Sequence, residues 1–296
     1  MGWSFDASWH TGLMNLESTV ATPGETRQAL TQLSGRGYTQ IRHVFVQLPD
    51  GEQRASVLAR FLTERKHRAL LLYLLLLTCW PWLEERRNPL EAGVWIRALQ
   101  SEHHKDALTW SASTLSRAWN DLEKMNLISR EREGRLLRVT PRREDAGDDY
   151  EAPGGRKDRW NAYFSLPDDF WHEELFAQLR LPALVMLLVV AKETNYQSEV
   201  WLPYEHMKNW YGISAKSAQN GLKELERVGI LHRRTEKIKA PLSPTGSTVR
   251  MWYSLTGSYG YESRQALQKI AATETRKRQR AKSKQVAFKA GRKKKK

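Results

Sequence analysis

The chain has 296 residues, 40% hydrophobic and 10% aromatic, with a net charge of +15 and a pI near 9.9; that is apolar material for about two packed domains. Residues 276–296 hold 12 Lys and Arg and no acid, leaving 36 basic against 33 acidic residues elsewhere, so net charge alone does not point to a nucleic-acid partner. The single cysteine, Cys79, excludes an intrachain disulfide and a cysteine-based zinc site, and its apolar surroundings in the sequence read as core.

The first ten residues, MGWSFDASWH, have neither the basic start nor the apolar run of a secretory signal. Residues 1–39 are weakly patterned, with Pro23, Gly24, Gly35 and Gly37 interrupting any long element. Residues 40–48 (QIRHVFVQL) read as a strand, followed by Pro49-Asp50. A buried helix is predicted over 55–78, a second helix over 89–107, and a third from a Ser111 N-cap to about Met125. Residues 128–140, basic around Glu133-Gly134, read as a hairpin. Residues 141–158 (PRREDAGDDYEAPGGRKD) read as a polar linker. A second series then follows: a strand at 162–166 ahead of Pro167-Asp168, a helix over 173–193, a short strand at 200–202 and a helix over 203–210. After a turn at Tyr211-Gly212-Ile213, a helix capped by Ser214 runs to about Val228. A longer hairpin fills 231–255, and a C-terminal helix to about Arg280 passes into a basic, disordered tail. Two uncharged apolar runs, 69–83 and 181–191, fall short of the roughly 20 residues needed to cross a bilayer. They read as core helices, and no membrane partner is expected.

The two series repeat each other. Residues 108–130 (LTWSASTLSRAWNDLEKMNLISR) and 211–233 (YGISAKSAQNGLKELERVGILHR) align at a constant shift of 103 positions, pairing Ser111 with Ser214, Glu123 with Glu226 and Ile128 with Leu231. Helical spacing puts Leu115, Trp119 and Leu122 on one face, and Ala218, Leu222 and Leu225 on the matching face. The opposite stripe carries Ser113, Arg117, Asn120 and Lys124 in the first copy, and Lys216, Asn220, Lys223 and Arg227 in the second. All eight are polar and five are basic.

Such a stripe suits duplex DNA. First-turn groups, Ser111, Ser113 and Thr114 or Ser214, Lys216 and Ser217, are placed for phosphate contacts. Further along, Arg117 suits guanine and Asn220 suits adenine, each worth about 1–3 kcal/mol of base discrimination. The first hairpin adds Arg130, Arg132, Arg135 and Arg138, continued by Arg142 and Arg143; the second adds Arg233, Arg234, Lys237 and Lys239. These cations suit backbone or minor-groove contact. A lone polar stripe is usually just a solvated face, and a charged hairpin is a common guard against edge aggregation. Cap, helix and basic hairpin recurring together form a nucleic-acid footprint. The tail has the composition of a non-specific polyanion arm, shared by nuclear addresses and RNA-binding arms.

No phosphate-binding Gly-x-x-x-x-Gly-Lys-[Ser/Thr] loop and no His-x-His pair is present, and His103-His104 are expected to diverge on a helix. No enzyme activity, cofactor or metal is expected. Most of the 12 tryptophans, with Trp110, Trp119, Trp201 and Trp210 inside the repeats, read as core or near-core.

The pattern S-x-x-[ST]-φ-x-x-[AG]-φ-x-x-L-E-x-x-[GN]-φ-φ (φ apolar), at 111–128 and 214–231, resembles the winged helix-turn-helix family. A first strand leading to Leu-Pro-Asp and a Leu-rich helix make residues 40–255 similar to the replication initiators of plasmids and phages. The resemblance implies a mainly α fold with small β wings (α+β), as two tandem winged-helix domains. Its divisions are 1–39, the first domain at 40–143, a linker at 144–159, the second domain at 160–257 and a tail at 258–296. It implies binding to double-stranded DNA at repeated sites, host replication machinery as a partner, a homodimer as one assembly, and a cytoplasmic, nucleoid-associated location. Transcription regulators and partition factors share the same unit, and winged helices also serve as protein-interaction modules.

Overall fold

A computed structural model describes residues 20–86, 88–154 and 158–293, with 278, 279 and 281–293 traced by their backbone alone. Residues 1–19, residue 87, residues 155–157 near the end of the expected linker and the last three tail residues lie outside that description. Among the described residues the fold mixes helices with three small antiparallel sheets. No helix among the described residues is long and apolar enough to cross a membrane.

The weakly patterned N-terminal region holds a helix, α1 (Pro23–Ser34). Pro23 occupies its first turn, where a missing N–H goes unnoticed. Thr22 and Glu25 form a reciprocal capping box, and Gly35 ends the helix at φ 62°. The residues expected to break this region punctuate it instead. Strand β1 (Tyr38–Arg42) begins and ends earlier than expected, because one helical turn, α2 (His43–Val46), follows it. The long helix expected over 55–78 is two, α3 (Val57–Thr63) and α4 (His67–Leu83). They separate where Arg65 takes φ 56°. The helix expected over 89–107 is only α5 (Ala92–Leu99). His103 and His104 therefore sit in a loop, their amides held by Glu174 and Ser101. Then come α6 (Ala112–Lys124), β2 (Ile128–Glu133) and β3 (Leu136–Pro141).

The second half runs β4 (Tyr163–Pro167), α7 (Asp169–His172), α8 (Leu175–Gln178) and α9 (Leu181–Glu193). The helix expected over 173–193 is thus interrupted at Leu179-Arg180, after which Pro182 is tolerated in a first turn. Next are β5 (Val200–Trp201), a 3₁₀ turn (Tyr204–His206) leading into α10 (Met207–Tyr211), and α11 (Ala215–Arg227). Strands β6 (Leu231–Lys239) and β7 (Ser247–Leu255) and helix α12 (Tyr261–Lys293) complete the chain. The backbone stays helical well past Arg280, where charge density had suggested disorder; Ala, Lys, Gln and Arg, which dominate there, are all good helix formers.

Strand β1 pairs antiparallel with β4, in register from Tyr38↔Pro167 to Arg42↔Tyr163. Each half supplies one strand of this sheet. Leu70–Leu76 of α4 and Ala183–Val190 of α9 are almost entirely buried in one continuous apolar cluster that crosses between the halves. Two buried ion pairs reinforce the join. Arg27 of α1 meets Glu174 at 2.5 Å, and Arg42 of β1 meets Glu144, with every side chain at most 2% exposed. Glu144 lies in the expected linker. That segment is pinned further by Tyr73 Oη donating to the Arg142 carbonyl, by Asn126 Nδ2 donating to the Ala146 carbonyl, and by Tyr150 edge-on to Trp80. A polar run whose Glu144 is buried against Arg42 and whose Tyr150 packs on Trp80 has become part of the body. On α12, Arg264 is 1% exposed and donates to the carbonyls of Ala191 and Thr194, closing the C-terminal end of α9.

Candidate nucleic-acid interface

Both repeated helices begin on the expected serine. Ser111 Oγ accepts from Thr114 N at 3.3 Å, and Thr114 Oγ1 accepts in return from Ser111 N at 2.7 Å. Ser214 Oγ accepts from Ser217 N at 3.1 Å. These hydroxyls satisfy first-turn N–H groups that would otherwise lack partners. The inward faces are as expected, with Ala118 and Gly221 added to them. Gly221 sits at the tightest point of the packing. A Cβ there would fall 2.5 Å from the Pro182 carbonyl oxygen and 2.8 Å from Met186 Cγ, so α11 approaches α9 as closely as only glycine allows.

The outward stripes are solvent-facing. Ser111, Ser113, Arg117, Asn120 and Lys124 on α6, and Ser214, Lys216, Asn220, Lys223 and Arg227 on α11, are exposed; Thr114 and Ser217 are half-buried. Arg117 Nε donates to the Ser113 carbonyl along its own helix. A polar cleft of about 500 Å³ beside the end of α11 is lined by Arg227, Arg180, Lys105 and His67 among others, joining that helix to the segment that leads into α6.

The hairpin arginines divide into two groups. Arg130 of β2 pairs with Glu123 of α6, and Arg233 of β6 pairs with Glu226 of α11 at 2.9 Å. These are equivalent positions under the shift of 103. Each pair fastens the first hairpin strand to the helix before it, and Arg130 holds the Glu123 carboxyl below the usual carboxylate range. Arg138 is tied to Glu133 across the first hairpin, and Arg234 to Glu199 at 2.9 Å while lying over the Trp252 ring. Arg132, Arg135, Lys237 and Lys239 are exposed and form no ion pair among the described residues. The alignment of Glu123 with Glu226 was the signal for the clasp, but the partner arginines read only as loose cations. Arg142 and Arg143 turn inward: Arg142 NH2 donates to the Gly147 carbonyl, and Arg143 pairs with Asp145. The tail side chains beyond Arg280 lie outside the described residues.

Trp110 and Trp119 are buried as expected, whereas Trp201 is 40% exposed, with the Arg250 guanidinium 4.4 Å from its ring centre. Glu102, His103 and Glu174 bring possible ligand atoms within 4.8 Å of one another. The Glu174 carboxylate, however, already accepts from Arg27, from Ser101 Oγ and from the amides of Glu102 and His103. That is a lodging for a guanidinium, with no oxygen lone pair left over for a cation.

Compared with family models, with curated proteins and with solved structures, the chain matches none.

Proposed function

We propose that this chain binds double-stranded DNA in a sequence-dependent way through two tandem winged-helix units, and that it initiates or organises replication on a plasmid or phage. One observation carries the reading: α6 and α11 each expose a polar stripe, five of the eight residues basic across the two helices, beside a hairpin clasped by the same Glu–Arg pair. A merely solvated face has no need of a fastened basic hairpin, repeated. Phosphate contacts from the capped first turns and hairpins would set register, and Arg117 and Asn220 would contact base edges.

Selection from random duplex DNA, followed by charge reversal at Arg117 and Lys216, tests this. Reversal at Arg117 is expected to weaken the selected site about 5- to 150-fold, as loss of a base contact worth about 1–3 kcal/mol predicts, and reversal at Lys216 to weaken it through lost phosphate contact, each with the fold intact. Unchanged binding would remove α6 and α11 from the interface. Deleting residues 276–296 is expected to weaken binding evenly across sequences and flatten its salt dependence. Loss of base preference on that deletion would reassign specificity to the tail. A plasmid carrying this gene and its upstream DNA as sole replicon tests the replication role.

A further inference from the structure

A second cavity, of about 260 Å³, opens where the halves meet; His43, Gln47 and Arg54 line it from one side, and Arg159, Lys192 and Tyr196 from the other. Gln47 is only 3% exposed. Lys192 Nζ donates to Gln47 Oε1 at 2.5 Å and to Glu193 Oε1 at 2.6 Å. An ammonium has no lone pair, so this contact fixes which end of the Gln47 amide faces the lysine. Gln47 Nε2 is left as a buried donor with no acceptor among the described residues. Buried donors are almost always satisfied, so a missing acceptor at a cavity wall points to a ligand.

Other donors stand beside it. Lys192 has a third N–H beyond the two it uses. Arg54 gives Nε to the Leu48 carbonyl at 2.9 Å, and its terminal nitrogens have no partner among the described residues. Arg159 is bound to Asp50 and to the Pro49 carbonyl. Glu193 and Asp50 thus offset Lys192 and Arg159, and the charge of Arg54 remains uncompensated. Two aromatic rings, His43 and Tyr196, also line the cavity, 5.7 Å apart between centroids and inclined at 57°. Burial, then the nearby Lys192, push the His43 pKa down to about 4, so its ring is uncharged at neutral pH.

We propose that this cavity binds a small phosphate monoester bearing a planar ring, a mononucleotide being the simplest, with its phosphate on Gln47 Nε2, Lys192 Nζ and Arg54 and its ring against His43 and Tyr196. Gln47, Lys192 and Arg54 line one small cavity, a donor set that suits an oxyanion, and the volume exceeds what a bare phosphate would fill. Glu193, which steadies Lys192, also accepts the Tyr211 hydroxyl at 2.6 Å. Tyr211 leads through Gly212 into the Ser214 cap, so the ligand stands a few contacts from α11.

Calorimetric titration of the full chain with adenosine 5′-monophosphate, inorganic phosphate and adenosine tests the site. The nucleotide is expected to bind most tightly. Arg54→Gln and Tyr196→Ala, both at positions reached by solvent, are each expected to weaken it about tenfold with an unchanged circular dichroism spectrum. Phosphate binding as tightly as the nucleotide would uphold the oxyanion site and overturn the ring contact. Adenosine binding as tightly would overturn the oxyanion site. Failure of nucleotide and phosphate to bind at millimolar concentration, or nucleotide binding indifferent to Arg54→Gln as attraction to the basic tail would be, overturns the proposal.

Discussion

In the first unit the hairpin after α6 has six-residue strands and turns at Gly134, whereas in the second the strands are nine residues long and β5 joins them as a third. Asn126 takes φ 60° where Gly229 takes φ 77°, and Ala118 stands where Gly221 lets α11 press on α9. What the two copies keep is the serine cap, the apolar inward face and the Glu–Arg clasp; what they vary is one small residue in the packing, the residue that ends the helix, and the length and strand count of the hairpin. A repeat can therefore hold its cap and clasp while its hairpin lengthens and its helix packing tightens.

The Leu-Pro-Asp sequence offers the sharpest contrast. Asp50 is exposed and pairs with Arg159. Asp168 is 7% exposed, its Oδ1 has no partner among the described residues, and burial, then Asp169, push its pKa up to about 7. The folded state therefore holds a proton that the unfolded chain releases near pH 4. The resulting stability is fully present below about pH 4 and is lost as pH rises through 7. Asp168→Asn is expected to remove this dependence and to raise stability at pH 8 by roughly 2–4 kcal/mol. Asp50→Asn should change it by less than about 1 kcal/mol. Urea unfolding at pH 5 and pH 8 reads both, and parallel profiles for wild type and Asp168→Asn would contradict the contrast.

Exchanging the small residues comes next in size. Gly221→Ala drives a methyl into a backbone carbonyl and is expected to cost about 1–3 kcal/mol. The converse change in the other unit, Ala118→Gly, is expected to cost about 1 kcal/mol through chain entropy. A shift in urea midpoint at constant slope measures each, and a neutral Gly221→Ala would mean that the two helices can part freely. The smallest effect is expected at the clasps. Glu123→Gln and Glu226→Gln should each cost under about 1 kcal/mol, and less in high salt. Unequal losses would show that the two clasps are not equivalent.

The repeated helices were legible because cap, apolar period and hairpin are local properties written within some 20 residues, a span over which periodicity is the dominant signal. Legibility failed where distant partners decide the structure. Glu144 and Glu174 look like ordinary surface acids until Arg42 and Arg27 arrive from more than a hundred residues away. The breaks at Arg65 and Leu179 do carry local signals, the polar run at 63–68 and Pro182, but the apolar residues on either side outweigh them. The strand after α1 was placed too far along because Ile41 to Leu48 is rich in β-formers, and tertiary packing gave His43–Val46 to a helix instead. At the candidate interface every stripe residue lies on the expected face, but six of the eight hairpin arginines are structural ties.

The β1–β4 ribbon has a consequence for any gene that preserves only part of this chain. A fragment ending before residue 160 would leave β1 with an open row of amides and carbonyls, and a fragment starting there would do the same to β4. Such an edge seeks a substitute. Two such fragments, co-expressed, should find each other and reassemble; either one alone should stick to its own kind.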